Sequence, residues 1–571
     1  MYPLCIRFGA PWGVDPRSQG SQPMPRVLRQ GRRVALPSAT PGDIVAGSMP
    51  GRAWPQSPIT LSDSTYRFVG YRTIPKNVRI LLVGTGIALA SPGASSQGVD
   101  SNVESARWRE FARADLESVR ETIIAAHPGA IDEQNPSFRT WMNDGYVAAR
   151  SLLPRVRDYS TALSAVRFYV AGFEDGHLSV SDNVRPDEPV RFHGWAVRKR
   201  QDDYIVSAVA EGWTAPLPPV GATLVECDGR SPSAIVREDI APYRDRRALA
   251  SSEAANASRI GWPIASFGNE LGTCIFELED DSRLELAVAY KAVSFADMVA
   301  IGASKSRKPR SNSFVLKDGL LWIRAGNFDL KADQVAPFRT LLEELRRQRG
   351  VTRIVFDMRG NGGGDSRVGD LIFNAATGGI EYDRRGIEQL PRTVAHWRVS
   401  EVAVETARRG LAKAIRTFGP HSIQADWNRK HLKALLAAKA SGRSWVRQSG
   451  RDYRVSREEA TRRGGRLRRF SGRVAVLTDS NCASACLDFV DQVKLVPGAL
   501  HLGATTSADS VYIDVGQVDL PSGNSLVIPL KVWRNRLRAD NEPLIPDHVF
   551  PGDLNDDQAV DQWMLTTLSL D

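Results

Sequence analysis

Two short runs constrain this chain more than anything else in it. Residues 353–357 have an apolar centre, Ile354-Val355-Phe356, residues 474–478 are almost wholly apolar, and each run is followed at once by a turn and then by a helical pattern. A run of this length and composition reads as a strand hidden on both faces. Such strands alternating with helices build a partly parallel sheet covered on both sides. The fold class expected is therefore α/β. The second run leads into Asn481-Cys482-Ala483-Ser484-Ala485-Cys486, which places Ser484 at a strand-to-helix turn. There its hydroxyl lies near the positive end of a helix dipole, where an oxyanion is stabilised. Serine is also a preferred N-cap, so the turn alone leaves a nucleophile and a cap both open.

At 571 residues, two to four domains are expected. A 42% apolar and 25% charged composition is that of an ordinary globular protein with a sizeable core. The net charge of +10 is uneven: arginine concentrates between Arg384 and Arg473. No aromatic-interleaved basic face or RNA-binding signature accompanies it. The reading is a basic insert over residues 378–470 that is solvated or faces an anionic surface, with no nucleic-acid partner. The five cysteines, Cys5, Cys227, Cys274, Cys482 and Cys486, have no zinc spacing. No metal and no cofactor is expected.

Residues 1–75 are rich in Pro, Gly, Ser and Arg with little periodicity, and are read as a non-native or disordered extension. Lys76-Asn77-Val78-Arg79 then precedes an apolar stretch ending in Ala88-Leu89-Ala90. A basic segment, a short apolar run and Ala-x-Ala form a secretory signal over residues 76–90. The true start is then expected near Val69. The run is too short for a stable membrane span. The expected location is periplasmic or extracellular, where Cys482–Cys486 and Cys227–Cys274 are the natural disulfide pairs.

Helical spacing of Trp108, Phe111, Leu116, Val119 and Ile123, ended by Pro128-Gly129, begins a helical cap region over residues 101–185. It closes on Asp175-Gly176-His177, a turn leading into a strand. Residues 189–245 read as short strands. Gly194-Trp195-Ala196-Val197 and the segment Val220 to Gly229 resemble the carboxylate-binding loop and a later motif of PDZ domains. That resemblance implies capture of a peptide terminus by the backbone amides of Gly194, Trp195, Ala196 and Val197. A mixed connecting segment fills residues 246–312. The α/β pattern occupies residues 313–377 and 471–560.

A serine nucleophile needs a base within hydrogen-bond reach and donors for the developing oxyanion. The glycine run Gly362-Gly363-Gly364 supplies unshielded backbone amides. It is not a phosphate loop, because no Gly-Lys-Ser/Thr follows. Asp357-Met358-Arg359-Gly360-Asn361-Gly362-Gly363-Gly364 and Ala483-Ser484-Ala485 resemble, in order, the glycine and nucleophile motifs of the C-terminal processing, or tail-specific, serine peptidases. Cys482 and Leu487 stand where that family usually has Thr and Glu. The resemblance implies a Clp-protease/crotonase-like catalytic domain with an N-terminal helical cap and a PDZ-like β-rich domain.

The family has a lysine version and a tricorn-like histidine version of its mechanism. The segment matching the lysine site, Gly503-Ala504-Thr505-Thr506, has no lysine. Asp175-Gly176-His177 matches the histidine site. The resemblance thus implies Ser484 as nucleophile, His177 as general acid/base, and Gly363 with the Ala485 amide as the oxyanion hole. Glu542, near Pro546-Asp547, is the choice for the carboxylate that orients His177, with Asp488 as rival. The remaining histidines are read as structural. The expected function is an exported serine peptidase that hydrolyses peptide or protein substrates. The alternatives are a non-catalytic binder on the same fold and, against the signal segment, an acyl-CoA enzyme of the crotonase type.

Overall fold

The glycine motif and Ser484 sit at neighbouring strand ends of one sheet. A computed structural model describes residues 97–185, 187–262, 267–268, 270–303, 311–378, 393–449, 470 and 472–570. The extension 1–75 and the signal segment 76–90 lie outside the described residues, as do 379–392 and 450–469 of the basic insert.

The central sheet has six strands in the order His548–Val549, Leu500–Gly503, Arg473–Thr478, Arg353–Asp357, Leu320–Arg324, Ser313–Lys317. All pairs are parallel except the last, which is an antiparallel hairpin. The two apolar runs are its central neighbours, with Ile354 opposite Val474 and Phe356 opposite Val476. Side chains alternate between the two faces. Ile354, Phe356, Val474 and Val476 pack under the helices Val335–Arg347, Ser366–Thr377 and Ala485–Lys494. Val355, Ala475 and Leu477 pack on the other face against Val560, Met564 and Leu568 of the helix Asp557–Leu570. That terminal helix has no counterpart in the sequence reading, yet it is what covers the second face.

Residues 97–171 form three helices joined by short 3₁₀ turns. The helix Gln97–Ala126 buries Trp108, Leu116, Val119 and Ile123 on one stripe and gives way at Pro128 to a short 3₁₀ turn. Asn135 and Asp158 cap the next two helices, Pro136–Ser151 and Tyr159–Ala171, by accepting the N–H groups of Phe138 and Thr161.

The basic insert differs from its reading as a solvated appendage. Its strands Val394–Arg398 and Trp445–Ser449 join a second, antiparallel sheet through Ser525–Arg534, which also pairs with Tyr512–Asp519 and with Ser179–Val180 beside His177. Its helices Glu401–Phe418 and Ile423–Ala440 bury Val404, Ala407, Trp427 and Leu435 in the same core as the cap helices. Arg408, Arg409, Arg416 and Arg429 of these helices are exposed, so composition hid an apolar stripe that only strand pairing reveals.

The β-rich module also runs past its expected end at 245. Its sheet has the order Trp195–Arg200, Asp203–Val209, Thr223–Cys227, Thr273–Glu277, Arg283–Ala287. Cys227 lies opposite Cys274 and is joined to it by a disulfide. The segment taken as a connector therefore supplies two of the five strands.

Candidate active site

The turn after Arg473–Thr478 is held by one carboxylate. Asp479 accepts the N–H of Asn481 at 3.0 Å and, through its other oxygen, the N–H of Gly360 at 2.9 Å. It thus ties the nucleophile turn to the glycine loop. Ser484 sits at the start of the helix Ala485–Lys494 with φ 57° and ψ −118°. Positive φ at a serine costs about 1–3 kcal/mol and persists only where the surroundings impose it. Its side chain makes no capping bond. Instead Oγ lies 3.2 Å from Nε2 of His177, 307 positions earlier in the chain. Ser484 is buried, and the cap reading gives way to a serine–imidazole pair.

His177 reaches Ser484 from the loop after the third cap helix. Asp175 sets that loop: its Oδ1 accepts the His177 N–H at 2.9 Å and the Ser510 hydroxyl at 2.8 Å. Its Oδ2 lies 3.1 Å from Nε2 of the buried His127. At Gly176 a Cβ would come within 2.8 Å of Nη1 of Arg247, so any larger residue would shift that guanidinium. Arg247 in turn donates to the carbonyl of Ala508 at 2.8 Å.

Two carboxylates act electrostatically on His177. Burial pushes the Asp509 carboxyl up, but Arg536, Arg538 and His177 together bring it down to about 2. Burial also opposes ionisation of Asp175, and the bond to His127 and the charge of His177 overcome it, leaving that carboxyl below its ordinary value. Both are anionic at neutral pH. The two residues named from sequence are engaged elsewhere. Glu542 is exposed and its carboxylate accepts the Ala539 N–H at 2.6 Å, closing its own turn. Asp488 receives the Ser366 hydroxyl at 3.2 Å and Arg538 at 3.4 Å. Sequence spacing singles out neither Asp509 nor Asp479. Asp175 lay within the quoted motif but was given no role.

The glycine loop is rigidly built. Arg359 and Asp357, both with fully buried side chains, form a two-pronged ion pair, and Arg359 also donates to the Leu554 carbonyl at 2.8 Å. Asn361 donates to the Ala325 carbonyl and accepts the Gly363 N–H at 2.8 Å. The Gly363 N–H, expected in the oxyanion pair, is turned to Asn361 here, because an asparagine amide readily accepts the N–H two residues on. Ala485 is the first residue of its helix, where backbone N–H groups have no intrahelical partner, and keeps its expected position. At Gly364, φ is 142° and a Cβ would fall 2.1 Å from the Phe328 carbonyl carbon, so no other residue fits. Gly503, beside the segment without lysine, packs so closely that a Cβ would lie 2.3 Å from the Thr478 carbonyl oxygen.

The four residues read as a carboxylate loop start an edge strand of the β-rich sheet. Gly194 has φ 86°, and Trp195, Ala196 and Val197 are buried. Among the described residues no group of three or more His, Cys, Asp or Glu could hold a metal ion, and no helix is long and apolar enough to cross a membrane.

With this geometry in hand, comparison with solved structures places the fold. The chain matches mature CPAF with a TM-score of 0.51 at 13% identity, over 81% of this chain and 97% of that one. A single-site CPAF mutant matches with a TM-score of 0.53 over the same shares and at the same identity. The photosystem II D1 C-terminal processing protease is a looser match, with a TM-score of 0.32 at 12% identity over 79% of this chain and 96% of that one. No protein-family model and no curated protein matches the chain. The chain thus has the fold of mature CPAF.

Proposed function

We propose that this chain is an exported serine peptidase that works through Ser484, His177 and an acyl-enzyme. The observation that carries the reading is the 3.2 Å approach of His177 Nε2 to Ser484 Oγ at a strained strand-to-helix turn. His177 takes the serine proton as Oγ attacks a peptide carbonyl. The Ala485 N–H and the positive end of the helix behind it stabilise the oxyanion. The imidazolium then protonates the leaving amine, and water repeats the sequence on the acyl-enzyme. The sheet that carries Ser484 is read as the Clp-protease/crotonase-like catalytic domain. The β-rich sheet is read as a PDZ-like module, in which the backbone of Gly194 to Val197 would take a substrate's terminus. Two disulfides support an oxidising compartment.

A biotinylated fluorophosphonate is expected to label the exported protein once, with the mass shift mapped to Ser484 and the N-terminus following Ala90. No label, or a label on another residue, overturns the assignment.

Asp509 is the carboxylate proposed to hold His177 in its working electrostatic state. Asp509→Asn is expected to lower kcat roughly 10- to 100-fold with KM little changed. Removing an anion beside the imidazole disfavours its protonated form, so the acid limb of the pH–kcat/KM profile moves to lower pH. A purely structural role would lower activity without moving that limb, and an unmoved limb rejects the assignment.

A further inference from the structure

Cys482 and Cys486 are joined by a disulfide that spans the nucleophile, two residues to either side of Ser484. Both are fully buried in the core beneath the helix, alongside Phe489 and Val490. Cys482 is pinned from both directions: its N–H donates to the Asp479 carbonyl at 3.1 Å, and its carbonyl accepts the Ser507 N–H at 3.1 Å. Cys486 lies in the first helical turn, and its N–H donates to the Ala483 carbonyl at 3.1 Å. The covalent ring therefore encloses residues 483–485 between a strand-end anchor and a helix. Within it Ser484 adopts φ 57°, which an L-residue keeps only under constraint, and the start of the helix lacks the serine cap bond that commonly secures one.

Resting on the serine-peptidase reading, we infer that the Cys482–Cys486 disulfide is a positioning device for the nucleophile. It holds Ser484 in the left-handed conformation that aims Oγ at His177 Nε2 and keeps the Ala485 N–H facing the oxyanion. Cys482 and Cys486 are positioning residues and do not touch the substrate.

The test compares the full chain with Cys482→Ala/Cys486→Ala and with the volume-conserving Cys482→Val/Cys486→Ala. Three quantities are measured: the second-order rate of fluorophosphonate labelling at Ser484, kcat and KM on a peptide substrate, and the thermal midpoint. Labelling and kcat are expected to fall together by at least about tenfold, because a small misplacement of a reacting atom has effects of that size, while KM stays within about twofold. A folded variant that labels as fast as the unaltered protein overturns the inference. If neither variant folds, the unaltered protein is treated with a phosphine and its cysteines are mapped by alkylation and mass spectrometry. Equal labelling of molecules with this bond open and closed then overturns it. Absence of labelling in the unaltered protein overturns the peptidase reading itself, which separates the two failures.

Discussion

Ser484→Ala is expected to lower peptide hydrolysis by roughly 10⁴-fold or more, His177→Ala to lower it by a similar factor, and the double variant to lose little beyond either. The expectation follows from the shared proton. Ser484 Oγ is a weak nucleophile until His177 Nε2, 3.2 Å away, accepts its hydrogen. Without the imidazole the alcohol does not attack, and without the alcohol the imidazole has nothing to activate. Two residues that act as one unit give non-additive losses. The residual rate measures what the Ala485 N–H and substrate binding contribute alone. Steady-state kinetics on a peptide substrate checks this, with circular dichroism confirming that each variant is folded. Losses that add, each variant removing its own factor independently, contradict a Ser–His couple and point to a different base.

Arg359→Ala is expected to cost about 3–5 kcal/mol of folding stability, the range for breaking a buried ion pair from one side. Both side chains are fully buried, and the guanidinium meets the carboxylate of Asp357 at 2.8 and 2.7 Å. Burial works against the Arg359 charge, but Asp357, Asp557 and Asp479 more than offset it and raise its basicity. Removing the guanidinium strands the Asp357 carboxylate and the Leu554 carbonyl in the core. The double variant Asp357→Leu/Arg359→Met is expected to be less destabilised than Arg359→Ala, because it leaves no orphaned charge. Urea unfolding reads both as shifts in midpoint at unchanged slope. A double variant worse than the single would mean that the pair contributes net stability beyond the avoided penalty.

The same motif shows how much of the site was legible. Asp357, Arg359, Asn361 and the glycines stand close together in the chain, so their local geometry is written in their order. The Asp-Gly-His turn was legible for the same reason: Asp175 caps the N–H of a residue two positions on. Both expected cysteine pairs are also bonded in the structure. Three things were not legible. Which partners a buried carboxylate such as Asp509 finds depends on where Arg536 and Arg538 fall in the fold, and sequence distance carries no such information. The turn of the Gly363 N–H toward the Asn361 amide depends on the side-chain conformation of Asn361, which the residue order does not specify. The insert was judged by its arginines, whereas its Trp397 and Trp427 find their core only once Val394–Arg398 pairs with Ser525–Arg534.

The sequence by itself determined the elements whose causes are local. These are the two doubly buried strands, the helical stripes, the turns that carry Ser484 and His177, and the absence of the alternative lysine. Their periodicity and turn chemistry act over a few residues, so reading them needs no knowledge of the fold. Only the tertiary structure decided that His177 and Ser484, 307 positions apart, share a hydrogen bond. It also decided that the buried charge of Asp509 meets Arg536 and Arg538 while Glu542 closes its own turn, and that the terminal helix closes the sheet. Those outcomes rest on long-range packing and on which buried charge finds which partner, and both are set by the whole chain at once.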